Sequence, residues 1–346
     1  MSDSLKNILI IKPSSLGDIV LALPALTALH KSFPNARITW LIRPEFAPLL
    51  ENHPHLTEII PFDRKFLGKA WFHPGASGSL LSLIKRLRNA EFDAVIDFQG
   101  LFRTASLAWL SGCKKRFGIA GAREFAPLFY THKITQTKDC IHLVDYYLKI
   151  IKAAGASELD VQFVLPQQPE AADSVGRLLE SHDISQDNYV VLVPGSAHED
   201  KRWPIERFAE LAERISSQFK LPIVATGDAS EAALVEKLKE LSKVPIANIA
   251  GQTSLSELVV LLKNAGLVVS NDTGPGHIAA ALGTPLVLMF SWSNPARIAP
   301  YKRIECLVAR DPFSRGHKIK SRDPKHNVDT ISVDEVYKKV CEQLKA

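Results

Sequence analysis

Three polar loops of the chain carry residues whose types suit transfer chemistry at a phosphorylated ligand. They contain, in chain order, Ser14, Ser15 and Asp18; Ser196, Lys201 and Arg202; and Asp272, Thr273, Gly274 and His277. A carboxylate next to a helix start can take a proton from a reacting group. A lysine provides a mobile positive charge for a phosphate. The set predicts a site in which Asp18 acts on one substrate while Lys201 holds a phosphate of another.

The third loop has the form of an anion site. It follows an apolar run that predicts a strand, Leu267–Val269, and precedes an alanine-rich run that predicts a helix, Ile278–Leu282. The first N–H groups of a helix have no internal partner, and the helix dipole makes that end positive. Gly274 and Gly276 have no Cβ, so we expect a ligand to approach the backbone there. A turn capped by Asp272 or Thr273 explains the same residues and stays open as the alternative.

Alternating strand and helix patterns position these loops. A strand, a polar loop and a helix open the chain at Ile8–Ile11 and Ile19–Leu29, and the order restarts at Tyr189–Val193 and Ile205–Phe219. Repetition of this order predicts two doubly wound α/β domains. In such sheets ligands bind beyond the carboxyl ends of the strands, where all three loops fall. The expected domains are residues 1–165 and 166–332, followed by a C-terminal helix at 333–346 that could pack back on the first domain.

Composition and charge narrow the class of protein. The 346 residues are 46% hydrophobic and 23% charged, which is typical of a globular chain. Residues 1–165 hold 20 Lys and Arg against 14 Asp and Glu, whereas residues 166–346 hold 22 against 23. The first half therefore favours an anionic partner. It lacks the long basic runs of nucleic-acid binders, so we expect no nucleic acid partner.

Other patterns exclude several alternatives. The four cysteines show no metal-ligand spacing and no disulfide framework, so we expect no metal and a reducing compartment. The polar N-terminus does not resemble a signal peptide, and no run is long enough to predict a membrane span. No G-x-G-x-x-G follows the first strand, and no P-loop motif occurs. We therefore expect a cytoplasmic protein without a dehydrogenase-type or P-loop nucleotide site.

Residues 62–79 mix aromatic and cationic side chains without clear periodicity. The cations are Arg64, Lys65 and Lys69, and the aromatic residues include Phe66, Trp71 and Phe72. This mixture favours an exposed loop that touches a membrane surface or an anionic amphiphile. A loop packed on its own domain is the alternative. For two residues a purely structural role stays open as the alternative. Asp18 could serve as no more than a helix cap, and His277 could be a core histidine.

Five stretches in order make the chain resemble the lipopolysaccharide heptosyltransferases of glycosyltransferase family 9, and within them the heptosyltransferase I group. They are Ile8 to Asp18 with Leu23–Leu26; Asp93 to Leu101; Arg123–Glu124 with Phe129–Tyr130; Asp200 to Pro204; and Asp272–Gly274 with His277. Each stretch on its own is modest evidence for the family. Their order over most of the chain carries the resemblance.

The resemblance implies a GT-B enzyme with two Rossmann-like domains facing each other across a cleft. Asp18 would be the base in an inverting transfer of L-glycero-D-manno-heptose from ADP-heptose to a Kdo residue of lipid A, with no cofactor. Lys201 would stabilise the ADP leaving group. The implied donor-binding residues are Ser196, Lys201, Glu231, Asp272, Thr273, Gly274 and His277.

The first domain would bind the anionic acceptor. Its expected acceptor-binding residues are Ser14, Ser15, Arg64, Lys65, Lys69, Arg123 and His142. We expect a monomer, peripheral on the cytoplasmic face of the inner membrane. Two alternatives stay open at this point: a sugar-nucleotide epimerase of similar architecture, and a two-lobed protein that binds a small molecule without turnover.

Overall fold

The computed structural model of the chain describes residues 5–69, 72–138, 140–316 and 318–345. Trp71, one of the aromatic residues of the 62–79 segment, lies outside these ranges. The chain divides into two compact units, residues 1–166 and 167–346. Each unit is built around one parallel six-stranded sheet.

The first unit alternates strands and helices as its sequence pattern predicts. Its elements are β1 (Asn7–Ile11), α1 (Leu16–Ser32), β2 (Arg37–Ile42), β3 (Glu58–Pro61), α2 (Arg64–Leu67), α3 (Pro74–Asn89), β4 (Ala94–Asp97), α4 (Phe102–Leu110), β5 (Arg116–Ile119), β6 (His132–Ile134) and α5 (Leu143–Ala153). Helices α1 and α5 pack together, while α3 and α4 cover the sheet with buried leucines such as Leu83, Leu87 and Leu107. Both faces of the sheet are therefore apolar, as parallel strands require.

The second unit repeats the plan. Its elements are α6 (Pro169–Glu180), β7 (Val190–Val193), α7 (Ile205–Phe219), β8 (Ile223–Ala225), α8 (Ala232–Leu241), β9 (Ile246–Asn248), α9 (Leu255–Asn264), β10 (Leu267–Asn271), α10 (Gly274–Leu282), β11 (Leu286–Met289), α11 (Pro295–Ile298), β12 (Leu307–Val308) and α12 (Val333–Leu344). Its core joins the strands to apolar residues of α7, α8 and α12, among them Phe208, Val235 and Val336. Helices α6, α9 and α10 pack as a second group.

Both sheets have the same strand order. The first runs β3-β2-β1-β4-β5-β6, and the second runs β9-β8-β7-β10-β11-β12 when read in the same sense. Each is the doubly wound order in which the first and fourth strands lie side by side. These pairs are β1 with β4, where Ile11 is opposite Asp97, and β7 with β10, where Val193 is opposite Ser270. The reversal of strand order at these pairs predicts a ligand crevice at their carboxyl ends.

Several expected boundaries are wrong. Helix α3 starts at Pro74 with His73 as its N-cap, so residues 74–79 are helical rather than part of a loop. Proline at the first helical position is favourable because its missing N–H would have no partner there. Helix α6 begins at Pro169, which likewise occupies the first helical position. Helix α12 belongs to the second unit, where it packs on α7, β10 and β11, so it is not a separate C-terminal segment.

No helix within the described ranges is both long enough and apolar enough to cross a bilayer.

Candidate active site

A buried carboxylate organises the carboxyl edge of the second sheet. Asp272 follows β10 directly, and its side chain is 2% exposed. Its Oδ2 atom lies 2.5 Å from Lys201 Nζ and also accepts the Ser293 hydroxyl, while Oδ1 lies 3.3 Å from His277 Nε2. Burial alone would raise the pKa of Asp272, but the hydrogen bond from His277 and the charge of Lys201 together hold it well below its usual value. Asp272 is therefore ionised and anchors Lys201.

The loop that bears Lys201 is fixed to the same strand. Asn271, the last residue of β10, donates from Nδ2 to the Pro194 carbonyl at 2.8 Å and accepts the Trp203 backbone N–H at 3.1 Å. The Ser291 hydroxyl donates to the Asp200 carbonyl at 3.0 Å. These contacts tie the loop after β7 to the end of β10 and to the loop after β11. Lys201 thus approaches Asp272 from a loop that is itself held in place.

The N-terminus of α10 opens at the same edge. Thr273 is the N-cap but makes no side-chain cap bond, and its Oγ1 is buried without a hydrogen-bond partner among the described residues. Among the described residues, the Asp272 oxygens are paired with Lys201, Ser293 and His277, so neither Asp272 nor Thr273 makes the cap bond that the capped-turn alternative required. The N–H groups of the first turn face the edge with the positive end of the helix dipole, which suits a phosphate.

Three glycines of this edge are closely packed. A Cβ at Gly276 would lie 2.4 Å from Leu288 Cδ1 and 3.0 Å from Ser270 Oγ, so this glycine allows α10 to pack closely on the sheet. Close packing alone explains the glycine at position 276, and the approach of a ligand to its backbone stays a prediction. A Cβ at Gly195 would lie 2.1 Å from the Glu231 carboxylate, and one at Gly227 would lie 2.7 Å from it. These two glycines make room for Glu231 instead.

Glu231 and Ser196 lie near the ends of β7 and β8. Glu231 accepts the Asp228 backbone N–H at 3.1 Å, and partial burial raises the pKa of its carboxyl group. Ser196 is buried, and its hydroxyl accepts the His198 backbone N–H at 3.4 Å. The structure therefore brings the expected donor-binding residues of the second unit to one edge: Ser196, Lys201, Glu231, Asp272, Thr273, Gly274 and His277.

The first unit has a different carboxylate at its switch point. Asp18 lies in the first turn of α1, and its side chain is 33% exposed. Its Oδ2 atom lies 3.2 Å from the buried Lys12 Nζ and accepts the Ser15 backbone N–H at 3.4 Å. Lys12 also donates to Gln99 Oε1 at 3.3 Å, which links the loop after β1 to the loop after β4. Asp18 does contact the helix start, but it is also oriented by a cation and open to solvent.

Asp97, the last residue of β4, holds the neighbouring loop. Its Oδ1 accepts the backbone N–H groups of Gln99 at 2.8 Å and Gly100 at 3.2 Å, and its Oδ2 accepts the Tyr130 hydroxyl at 2.8 Å. Because Asp97 is fully buried, desolvation raises the pKa of its carboxyl group despite these bonds. The bonds fix Gln99, which then orients Lys12.

Some of the expected acceptor-binding residues meet at this edge. Ser14 and Arg64 line one small depression together with Gln99 and Arg103. Lys65 lies on α2 and Lys69 follows it, and both are exposed. Ser15 is the exposed N-cap of α1. Arg123 is exposed beyond the end of β5, whereas His142 caps α5 by accepting the Val144 N–H at 3.2 Å. His142 therefore has a structural role that its sequence position did not indicate.

The 62–79 segment is partly folded and partly exposed. Phe62 is buried in the core of the first unit, whereas Phe66 is 36% exposed and Phe72 is 93% exposed. Further large apolar side chains of this unit are exposed: Leu81, Phe102, Trp109, Phe125 and Leu128. The exposed apolar surface is thus wider than the segment that the sequence singled out.

Sequence reasoning missed several residues of both edges. Lys12 and Gln99 lie in the stretches that resemble the heptosyltransferases, but their sequence positions predicted no role for them. The sequence patterns did not point to Asn271, Trp292 or Ser293. A signal existed for Lys12, since a lysine directly after a buried strand is unusual. Ser293 and Trp292 follow β11, and their nearness to Asp272 depends on the strand order. Within the described ranges, no group of three or more His, Cys, Asp or Glu side chains is placed to hold a metal ion.

Comparison with known proteins shows the family to which the chain belongs. The family profile "Glycosyltransferase family 9 (heptosyltransferase)" matches residues 80–328. The lipopolysaccharide core heptosyltransferase OpsX of Haemophilus influenzae is 30% identical over 308 residues, which cover 88% of this chain and 84% of that protein.

Two solved structures agree with this match. A glycosyl transferase family 9 protein from Veillonella parvula superposes with a TM-score of 0.84 at 24% identity, covering 100% of this chain and 99% of that one. E. coli heptosyltransferase WaaC with ADP superposes with a TM-score of 0.76 at 25% identity, covering 97% and 99%, and it has also been solved with ADP-2-deoxy-2-fluoro heptose. The two Rossmann-like units are those of a GT-B glycosyltransferase, and the chain belongs to glycosyltransferase family 9, the heptosyltransferases.

Proposed function

We propose that this enzyme transfers L-glycero-D-manno-heptose from ADP-heptose to a Kdo residue of a lipid A acceptor in the lipopolysaccharide core. The observation that carries the donor half is the buried Lys201–Asp272 pair beside the uncapped N-terminus of α10. Such an edge suits a diphosphate. The ligands of the E. coli relative, ADP and an ADP-heptose analogue, support the same donor.

The acceptor half rests on Asp18. Its carboxylate reaches solvent and is oriented by Lys12. In the proposed reaction Asp18 takes the proton of the acceptor hydroxyl as that oxygen attacks the anomeric carbon of heptose. The new C–O bond forms as the bond to the diphosphate oxygen breaks, and a single displacement inverts the anomeric configuration.

The leaving group is ADP, which departs with the electron pair of the broken bond. Lys201 and the N–H groups at the start of α10 stabilise the charge that grows on the diphosphate. Asp272 keeps Lys201 in place through the 2.5 Å contact, and Ser196 lies in the same loop as Lys201. Glu231 would hold the ribose, and His277 with Asp272 would line the heptose pocket. The proposed chemistry needs no further cofactor.

The first unit suits an acceptor with carboxylates and phosphates. Its sequence is net positive, and Arg64 and Arg103 line the depression that contains Ser14. We extend the proposal to Lys65, Lys69, Arg123 and His142 as acceptor contacts. The exposed apolar and basic side chains of this unit also suit a lipid surface. We propose that the protein acts as a monomer, peripheral on the cytoplasmic face of the inner membrane.

A transfer assay tests the function. Purified enzyme is mixed with ADP-heptose and Kdo-lipid A, and ADP release and the mass of the acceptor are followed. We expect ADP to appear together with an acceptor heavier by one heptose. Donor conversion without acceptor would instead indicate an epimerase, and ADP-heptose binding with no turnover would indicate a binding protein. Either of these results would contradict the proposal.

A further inference from the structure

A basic segment that no motif of the sequence covers lies against the Asp272 cluster. Residues 310–326 carry six described Lys and Arg side chains: Arg310, Arg315, Lys318, Lys320, Arg322 and Lys325. Arg315 is 9% exposed, and its guanidinium donates to the carbonyls of Ser291 at 2.7 Å and Ser293 at 2.8 Å. These two bonds tie the segment to the loop after β11.

The other contacts of the segment set the position of Lys320. Asn294 donates from Nδ2 to the carbonyls of Gly316 and Lys318. The backbones of Ser293 and Lys320 form an antiparallel bridge, and the Ser321 N–H donates to the Trp292 carbonyl at 2.7 Å. Lys320 is therefore held opposite Ser293, whose hydroxyl donates to Asp272. The side chain of Lys320 thus begins next to the proposed diphosphate site.

The ammonium groups of Lys320 and Lys201 both contact the indole ring of Trp292. Lys320 Nζ lies 4.1 Å from the centroid of the Trp292 ring, and Lys201 Nζ lies 4.6 Å from the same centroid. Each distance is within the range of a cation–π contact. Two positive charges that contact the same ring repel each other in the absence of an anion. The arrangement is favourable when a doubly charged anion lies near both lysines.

The charge balance singles out Lys320. Lys201 is paired with the buried carboxylate of Asp272, so this pair contributes little net charge. Within the described ranges, Lys320 makes no ion pair with a carboxylate, and its side chain is exposed. The Lys201–Asp272 pair is therefore nearly neutral, and the net positive charge next to it comes from Lys320.

The cluster also has spare hydrogen-bond donors. Trp292 Nε1 and Thr273 Oγ1 are buried atoms without a hydrogen-bond partner among the described residues. Buried polar atoms normally have partners. Donors in excess of protein acceptors are expected where an anionic ligand supplies the missing acceptors.

We infer that Lys320 is a binding residue for the diphosphate of the donor and supplies positive charge that the Lys201–Asp272 pair does not. Both lysines contact the Trp292 ring, which orients their ammonium groups. The inference rests on the proposed nucleotide-diphosphate donor and adds to it a residue outside the five sequence stretches that carry the resemblance.

The test compares two lysines of the same segment. We would measure the Kd of ADP and of AMP by calorimetry for the wild type, Lys320→Met and the control Lys318→Met, with Lys201→Met as reference. Lys320→Met should weaken ADP binding about fivefold and AMP binding much less, because AMP has only one phosphate. High salt should reduce the difference between wild type and Lys320→Met, since exposed charges are screened. Lys320→Arg should restore most of the ADP affinity.

The outcomes separate this inference from the function on which it rests. Wild-type ADP affinity in Lys320→Met, together with loss of ADP binding in Lys201→Met, would overturn the role of Lys320 and leave the donor assignment intact. Equal weakening by Lys320→Met and Lys318→Met would overturn it too, because the effect would then be a general one of charge. A wild-type enzyme that binds no ADP would overturn the donor assignment itself.

Discussion

The switch points of the two sheets share a strand order but use their carboxylates in opposite ways. In the first unit, Asp18 is one-third exposed and lies 3.2 Å from Lys12. In the second, Asp272 is almost fully buried and accepts from Lys201, Ser293 and His277. A carboxylate whose oxygens are occupied by buried donors can orient a neighbour, whereas one that reaches solvent can exchange a proton with a substrate. The difference in burial therefore separates a positioning group from a proposed base.

The acids next to the fourth strands show a second contrast. Asp97 ends β4 and Asp272 follows β10, and both are buried. Asp97 accepts hydrogen bonds from the Gln99 and Gly100 N–H groups and from a tyrosine hydroxyl. Asp272, in contrast, contacts a lysine. The pKa of Asp97 is raised by desolvation, and that of Asp272 is lowered by His277 and Lys201 despite desolvation. The hydrogen bond from His277 and the charge of Lys201 thus outweigh burial at Asp272, whereas the hydrogen bonds to Asp97 do not.

The largest expected effect breaks the first contrast. Asp18→Asn keeps the size of the side chain but cannot take a proton, so we expect kcat to fall about a thousandfold. ADP affinity should change little, because the proposed ADP-binding groups belong to the second unit. Steady-state transfer rates and ADP calorimetry measure the two quantities.

An exposed acid of the same unit provides the control. Asp160→Asn removes one negative charge from the surface of the first unit and should leave kcat unchanged. If Asp18→Asn turned over at the wild-type rate, Asp18 would not be the base. If both variants lost activity equally, net charge rather than proton transfer would explain the loss.

A smaller effect tests the contrast between the buried acids. Asp272→Asn leaves Lys201, which is 12% exposed, without its counter-charge, so we expect a loss of about 3 kcal/mol in unfolding free energy at neutral pH. Asp97→Asn retains an oxygen that accepts from the Gln99 and Gly100 N–H groups, so its cost should be within about 1 kcal/mol. Urea unfolding followed by circular dichroism compares the two variants. Equal losses would show that the lysine is not what separates these acids.

Much of the fold could be predicted from sequence, because buried parallel strands appear as short apolar runs. The strands β1, β7 and β10 and the helix α7 lie where the patterns put them. The first residues of α1 and α10 were harder to predict from the sequence. Leu16 and Gly274 start these helices, although serine, glycine and proline in both segments are typical of loops. Helix starts and loops share these residues, so the patterns did not separate them.

The site was predictable only where its residues follow strands in the same stretch of sequence. Asp18, Lys201 and Asp272 met that condition. The contact of Lys201 with Asp272 and that of Lys12 with Gln99 join loops whose strands are first and fourth in chain order. Their adjacency depends on the reversal of strand order, which the alternation of strands and helices does not specify. Ser293 and Trp292 required the further fact that β11 pairs with β10.

The smallest expected effect concerns pH and sharpens the contrast between Asp97 and Asp272. The folded pKa of Asp272 is lowered from 3.8, so its contribution to stability is present above pH 3.8 and is lost as the pH falls further. The folded pKa of Asp97 is raised from 3.8, so its contribution is present below pH 3.8 and is lost as the pH rises through the folded value. The two acids should therefore shift the pH profile of stability in opposite directions.

Unfolding free energies of the wild type, Asp272→Asn and Asp97→Asn across the acidic range measure these contributions. The advantage of the wild type over Asp272→Asn should shrink by up to about 2 kcal/mol as the pH falls below 3.8. Its advantage over Asp97→Asn should be greatest at low pH and should decrease as the pH rises. Since both substitutions replace a buried carboxyl group with an amide, a general effect of lost charge would give profiles of the same sign. Parallel profiles would mean that His277 and Lys201 do not hold Asp272 in its ionised form, and the role of Asp272 as the anchor of Lys201 would have to be abandoned.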